Sequence, residues 1–434
     1  MNRVDKEVIT LLNESPTNFQ AIKCLKDYLK KADFRELDIK QPFPKLSPGS
    51  LCFVTKDDAS LFAFRIGNEN PANVGFKIIA AHADSPSFRI KPNSEMLCEG
   101  GLIKLNIESY GSPIFYTWFD RPLSLAGRVF LRTNSPFHPL CRLFHIKRPL
   151  LVIPHLAYHL NKTVNDGNNL SIQKDMLPII SIIRESLEKD NYLLSVIAKE
   201  LNVDKNEILD FELNLYDTTA ACLLGVNNEF INSGRMDNLL MVYAALNALV
   251  NSSRNDMSQV LAVFDNEEVG NTTKQGAASP ILRNLLERIL ISSNGCNSES
   301  FYIAMENSFM ICADTTHAFH PNYSEKYDPT NHVILGKGPA IQTNANKRYS
   351  TDAESASVFI EICKREGVPF QYYTNHSDIP GGSTLGNIFS IQLPIRSVDV
   401  GIPLLGMHSI RETASIEDLY LTINSFISFF NSNI

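Results

Sequence analysis

Short apolar runs alternate with stretches of helical periodicity along most of this chain. The runs at 76–81 (FKIIAA), 259–264 (QVLAVF), 308–313 (SFMICA), 370–373 (FQYY) and 395–400 (IRSVDV) read as buried strands. Helical patterns fall between them at 238–250, 279–291 and 352–366, the second opening on Ser279-Pro280, a good cap and first-turn pair. A further helix is predicted near 17–32, after Ser15-Pro16-Thr17, and another near 415–431. This alternation predicts an α/β fold, with a largely parallel sheet covered by helices on both faces.

The pattern changes between about 94 and 231. Short alternating segments at 101–107, 126–132 and 208–216 read as half-buried strands; in the last, Phe211, Leu213 and Leu215 alternate with Glu212 and Asn214. A loop-rich stretch spans 133–175, and an amphipathic helix is predicted over 176–189. We therefore expect a discontinuous α/β domain (1–93 and 232–434) interrupted by an inserted β-rich domain (94–231), which would serve oligomerisation or act as a lid.

The 434 residues carry 40 Lys+Arg and 47 Asp+Glu, a net charge of −7, with 44% apolar and 20% charged residues. Such a chain is neither disordered nor fibrous. Its mild acidity and lack of basic runs argue against nucleic acid as a partner, since that affinity comes mainly from Lys and Arg neutralising phosphates. No apolar stretch approaches membrane-spanning length, and the N-terminal MNRVDKEVITLLNESPTNF has no signal-peptide pattern. Eight scattered cysteines, without a CxxC pair, are expected to be free thiols in a cytoplasmic protein.

Five polar clusters fall at the ends of predicted strands, where open α/β sheets place ligands. They are AAHADSPSF (His82, Asp84), SGRMDNL (Asp237), VFDNEEVG (Asp265, Glu267, Glu268), CADTTHAFHPNY (Asp314, His317, His320) and LGMHSIRE (His408). Three carboxylates and two imidazoles form an oxygen/nitrogen donor set suited to zinc, with manganese or cobalt as substitutes. Two metals need a bridging carboxylate, and Asp237, between a strand and a helix start, is placed to supply one. In His82-Ala83-Asp84 the outer side chains share a face of an extended chain, so Asp84 can fix the tautomer of His82. Adjacent Glu267 and Glu268 point different ways, allowing one to ligate metal while the other acts as general base. Each cluster alone has a bland alternative: a chance HxD, a solvated Glu pair at a helix start, an Asp cap or a surface His. Their joint occurrence at strand ends is what favours chemistry.

The same order of residues resembles the M18 metallopeptidases, the aspartyl aminopeptidase family, over nearly the full length. The matching stretches include SPTNFQA, AAHADSPSFRIKP, TWFDRPLSLAGRV, IPHLAYHLN, DFELNLYDT, EFINSGRMDNL, DNEEVGNTTKQGA, ADTTHAFHPNY, HSDIPGGSTLG and VDVGIPLLGMHSIRE. The resemblance implies a mixed α/β peptidase domain holding two zinc ions per chain, interrupted by a β-rich domain, in a tetrahedral homo-oligomer, a dodecamer. It implies His82 and Asp314 as terminal ligands of one zinc, Glu268 and His408 of the other, and Asp237 as the bridge. Glu267 would be the general base and Asp84 the residue orienting His82. Substrate contacts are implied at His317 and at His159, the latter reaching a neighbouring subunit's site. His320 and His376 are expected to be structural.

One departure concerns specificity. Where the family's GPVIK motif carries a lysine suited to an acidic substrate side chain, this chain has GPAIQ, with Gln342. An amide lacks the charge assistance of an ammonium, so a preference for acidic N-terminal residues is expected to broaden to neutral ones, unless Arg348 supplies the charge. The stretch after Tyr110 also departs, reading Gly111-Ser112-Pro113. The expected activity is removal of N-terminal residues from peptides. The rivals are another dizinc hydrolase, such as a carboxypeptidase or amidohydrolase, and a non-catalytic assembly protein on the same scaffold.

Overall fold

A computed structural model describes residues 2–167, 169–182, 191–294 and 297–432. A nine-stranded sheet crosses the molecule in the order Arg35–Glu36, Leu51–Lys56, Ser60–Arg65, Ser258–Phe264, Phe76–His82, Phe309–Ala313, Arg396–Gly401, Ala340–Gln342 and Gln371–Tyr373. The four central strands, from Ser258–Phe264 to Arg396–Gly401, are mutually parallel. Antiparallel pairings flank them: Ser60–Arg65 lies against both Leu51–Lys56 and Ser258–Phe264, and Ala340–Gln342 against Arg396–Gly401. The outermost pairs, Arg35–Glu36 with Leu51–Lys56 and Ala340–Gln342 with Gln371–Tyr373, are parallel again, so the sheet is mixed. The hairpin from Leu51 to Arg65 turns at Asp57 and Asp58, both at positive φ (55° and 49°), a turn the sequence pattern did not signal.

The central strands are buried apart from Arg396 at the start of the fourth, and both faces carry apolar layers. One layer joins the helices Arg3–Glu14, Asn18–Lys31, Met236–Asn251, Ala353–Glu366 and Ile416–Asn431. The opposite layer holds Ile281–Asn294, Ser298–Glu306 and Leu385–Gln392. Met236–Asn251 is apolar on nearly every side because it lies between the sheet and other helices, with Leu240, Met241 and Val242 fully buried. Truncating such a leucine to alanine costs about 2–5 kcal/mol. The helices expected near 17–32, 238–250, 279–291, 352–366 and 415–431 form within a few residues of their expected ends, and Arg3–Glu14, capped by Asn2 and Asp5, is among those the pattern did not signal.

A second, six-stranded antiparallel sheet draws its strands from Ser87 to Ile182 and from Ile208–Asp217, and has its own core around Phe88, Trp118, Leu125 and Leu213. Part of the loop-rich stretch is ordered into this sheet as the strand Leu140–His145. The helix expected over 176–189 is not borne out where it is described: Ile179–Ile182 is a strand pairing with Leu102–Tyr110. The isoleucine-rich run Ile179-Ile180-Ser181-Ile182 finds a sheet edge there, and that pairing outweighs its helical spacing. Residues 183–190 of that expectation lie outside the described residues. A small five-stranded sheet (Cys222–Leu224, Phe230–Ser233, Glu412–Ser415, Pro403–Leu405, Thr316–His317) stands at the carboxyl end of the central strands. Among the described residues no helix is long and apolar enough to cross a membrane.

Candidate metal centre

Parallel strands direct their carboxyl ends to one edge of the sheet, and the candidate residues collect there. His82 ends the strand Phe76–His82, Asp314 follows Phe309–Ala313, and Glu267 and Glu268 follow Ser258–Phe264 in a single helical turn. Asp237 enters from the start of Met236–Asn251, and His408 from the loop between Pro403–Leu405 and Glu412–Ser415.

The two imidazoles face one another across Asp237. His82 Nε2 lies 3.6 Å from Asp237 Oδ1 and 3.5 Å from Asp314 Oδ1. His408 Nε2 lies 3.5 Å from both Asp237 Oδ2 and Glu268 Oε2. Donor atoms around one tetrahedral ion with bonds of ~2.0–2.1 Å are roughly 3.3–3.4 Å apart, so these spacings suit a cation between them. His82/Asp237/Asp314 and Asp237/Glu268/His408 each bring three donors together, and His82/Glu267/Glu268 makes an overlapping third group. Asp237 Oδ1 and Glu268 Oε1 are buried without a hydrogen-bond partner. Unpaired acceptors at this depth are costly unless a cation meets them, so the residues fit a zinc pair.

Tautomers are set from behind. His82 Nδ1 is 3.1 Å from the Asp84 carbonyl and 3.3 Å from its carboxylate, and His408 Nδ1 is 3.1 Å from the Ser112 carbonyl. A carbonyl only accepts, so both Nδ1 atoms carry the proton and both Nε2 lone pairs turn toward the carboxylates. The Asp84 carboxylate also accepts the backbone N–H groups of Glu267 and Glu268 (both 3.1 Å) and the Tyr110 hydroxyl (2.7 Å). Asn266 donates to that hydroxyl in turn (2.9 Å).

Electrostatics reflect five acids and two imidazoles in one recess. Burial pushes Glu267 up to about 8, with Asp314, Asp84 and Asp237 adding to it and His82 opposing. Burial likewise raises Glu268 well above its ordinary value, and Asp314 rises for the same reason. Burial also opposes ionisation of Asp237, yet the His408 hydrogen bond and the His82 charge hold it below its usual range. His82 resists protonation through burial, but Asp314 and Asp84 lift it well above its ordinary value.

The other sequence candidates are more dispersed. His317 and His408 line one recess of about 160 Å³ with Leu404 and Met407, and crowding by protein lowers the His317 pKa although its ring stays open to the recess. Gln342 is buried and donates its amide to the Asp314 carbonyl (3.0 Å). Arg348 is exposed. His159 stands on the exposed turn Tyr158–Leu160, beside Tyr158, apart from the cluster. His320 accepts the Asn322 N–H and His376 that of Asp378, both local turn contacts.

Sequence reasoning missed three groups. Glu412 is buried and accepts the backbone N–H of Asp237 (3.1 Å) and of His408 (3.0 Å), tying two distant loops together. Tyr110 and Asn266 form the chain behind Asp84. None sits in a telling pattern; only the position of Glu412, four residues after His408, offered a hint.

A mixed α/β scaffold with a carboxylate between two imidazoles at the carboxyl ends of its central strands is the arrangement of a metal-dependent hydrolase. Residues 11–430 match the family described as Aminopeptidase I zinc metalloprotease (M18). The chain belongs to this M18 family and is a zinc metallo-aminopeptidase. It is 47% identical over 426 residues, 98% of each chain, to a probable M18 family aminopeptidase 2 of Clostridium acetobutylicum. Among solved structures it is similar to a chain of the Ape4 and Nbr1 complex, with 36% identity and TM-score 0.94, over 98% of this chain and 85% of that one. The S. cerevisiae mApe1 dodecamer shares the fold at TM-score 0.86 and 24% identity, covering 99% of this chain and 96% of that one.

Proposed function

We propose that the chain is a co-catalytic dizinc aminopeptidase that hydrolyses the N-terminal peptide bond of peptides. The observation that carries this reading is Asp237, which presents one oxygen to His82 and the other to His408. His82 and Asp314 would complete one site, Glu268 and His408 the other. Zinc, when bound there, polarises the scissile carbonyl and makes water acidic enough to attack near neutral pH. Manganese or cobalt would suit the same donors.

Glu267 is the proposed general base: it takes the proton of the attacking water and delivers it to the leaving amine. Asp84 keeps that exchange in register, since its carboxylate holds the Glu267 backbone and the His82 ring together. His317 lines the recess beside His408 and is proposed to contact the substrate. Gln342, an amide buried against Asp314, supports a preference that extends from acidic to neutral N-terminal residues.

The exposed His159 and the dodecameric fold relative support a homo-oligomer, with a tetrahedral dodecamer as the proposed form. The second sheet supports an inserted β-rich domain, drawn here at 94–231, between the two parts of the catalytic domain. Seven free cysteines among the described residues support a reducing, cytoplasmic location.

Substitution separates ligand from base. Glu267→Gln is expected to keep about two metals per chain and lose roughly 10²–10⁴-fold in kcat on aminoacyl chromogenic substrates. Asp237→Ala is expected to lose metal and activity together. Wild-type kcat in Glu267→Gln would overturn the base assignment, and cleavage of N-acyl but not free-amine substrates would favour the amidohydrolase reading.

A further inference from the structure

The six-stranded sheet does more than stand beside the metal centre. Its strand Leu102–Tyr110 pairs with Ser87–Leu97, with Tyr110 opposite Ser87, and this carries Tyr110 to the back of Asp84. The Tyr110 hydroxyl donates to Asp84 Oδ2 at 2.7 Å and receives the Asn266 amide at 2.9 Å, so its direction is fixed. Two residues on, the Ser112 carbonyl meets His408 Nδ1 at 3.1 Å. The Ile114 N–H donates to the His408 carbonyl at 2.9 Å, and the Thr117 hydroxyl accepts the Ile410 N–H at 3.0 Å. The His408 loop is thus gripped on both sides by one short segment.

Between these contacts lies Gly111, at φ +66°, where an added Cβ would stand 3.2 Å from Glu268 Cβ. The Ser109 hydroxyl donates to the Gly111 carbonyl at 3.0 Å and pins the turn. A single segment of the second sheet therefore touches the outer side of both imidazoles, one through Asp84 and one directly, and closes against Glu268 between them.

We infer that residues 110–112 are positioning groups of the metal centre, with Tyr110 serving the His82 ion through Asp84 and the Ser112 carbonyl serving the His408 ion. A ring nitrogen that donates firmly on one side is a better-oriented and more basic ligand on the other, and partners of this kind govern metal affinity by about 10–100-fold. The inference rests on the two-metal reading above.

The test is metal binding, read by chelator competition and by the visible absorption of the cobalt-substituted protein. Tyr110→Phe removes only the hydroxyl, and is expected to weaken one of the two ions by about 10–100-fold and shift its cobalt spectrum. Gly111→Ala, which forces the turn against Glu268, is expected to weaken the other ion and spare the first. Ser109→Ala, a milder release of the same turn, is expected to follow Gly111→Ala at smaller amplitude and substitutes for it should that variant fail to fold. A purely structural contact would lower thermal stability without altering the cobalt spectrum. Wild-type affinities and spectra in all folded variants would overturn the inference. A wild-type stoichiometry below two metals would instead overturn the reading on which it rests.

Discussion

Glu412 gives the most demanding check on how the centre is held, because it is buried and holds two candidate ligands by their backbones. Its two carboxylate oxygens each receive one N–H, from Asp237 at 3.1 Å and from His408 at 3.0 Å. Glutamine has the same shape but one acceptor oxygen; its NH₂ must face the other backbone N–H, donor against donor. Leaving one buried donor unpaired costs about 1–3 kcal/mol. Metal binding needs both loops in place, so the cost falls on the loaded state wherever the loop relaxes in the metal-free protein. At 1.4 kcal/mol per factor of ten, the expected loss in metal affinity is roughly 5- to 150-fold, with stoichiometry at saturating metal unchanged. Should the loops stay rigid without metal, the same cost appears as a lower melting temperature of the metal-free protein. The assay pairs chelator competition with thermal unfolding of the stripped enzyme. Affinity within twofold of wild type together with an unchanged melting temperature would refute the reasoning.

Three further outcomes are expected. Gln342→Lys should raise the ratio of kcat/KM for acidic over neutral aminoacyl substrates about tenfold or more where the contact is dry; an unchanged ratio would remove position 342 from specificity, and strong acidic selectivity of the wild type abolished by Arg348→Ala would assign it to that exposed cation instead. Mixing inactive His159→Ala with inactive Glu267→Gln subunits under exchange should restore part of the activity; fully active isolated monomers would remove His159 from a neighbour's site. Burial lowers the Lys77 ammonium to about 8, although it donates to the Phe430 carbonyl (3.1 Å) and to that of Ser432. Above pH 10.5 both folded and unfolded chains are neutral at this group; as the pH falls from about 10 to about 8 the unfolded chain takes up the proton first, so stability from this group is lost over that window, and Lys77→Met should flatten the pH–stability curve there.

The central strands were legible because burial on both faces demands uninterrupted apolar runs, such as Phe76–Ala81 and Gln259–Phe264. Of the flanking strands, Gln371–Tyr373 was read from its aromatic run, but the others were not. Leu51–Lys56 and Ser60–Arg65 turn through two aspartates rather than the Asn-Gly or Asp-Gly that marks a tight hairpin, and Ser87–Leu97, in the second sheet, is interrupted by the exposed pair Pro92-Asn93. The candidate ligands announced themselves because His, Asp and Glu fall together at successive strand ends. Glu412 and Tyr110 act through a backbone N–H and through another carboxylate, and those partners are decided by tertiary approach, which no local spacing records.

The candidate ligands are drawn from almost the whole length of the polypeptide, from His82 in an early central strand to His408 in a loop of the five-stranded sheet that closes just before the final helix Ile416–Asn431. A ribosome therefore has to pass residue 408, more than three hundred residues after His82, before the second imidazole exists to meet Asp237. Non-local closure of this kind is slow, because loop entropy is spent before the contacts that reward it. On the two-metal reading proposed above, the growing polypeptide would carry an inert set of acids until the His408 loop docks, and peptide-cleaving power would arrive with the folded product rather than on a half-made chain beside other nascent N-termini.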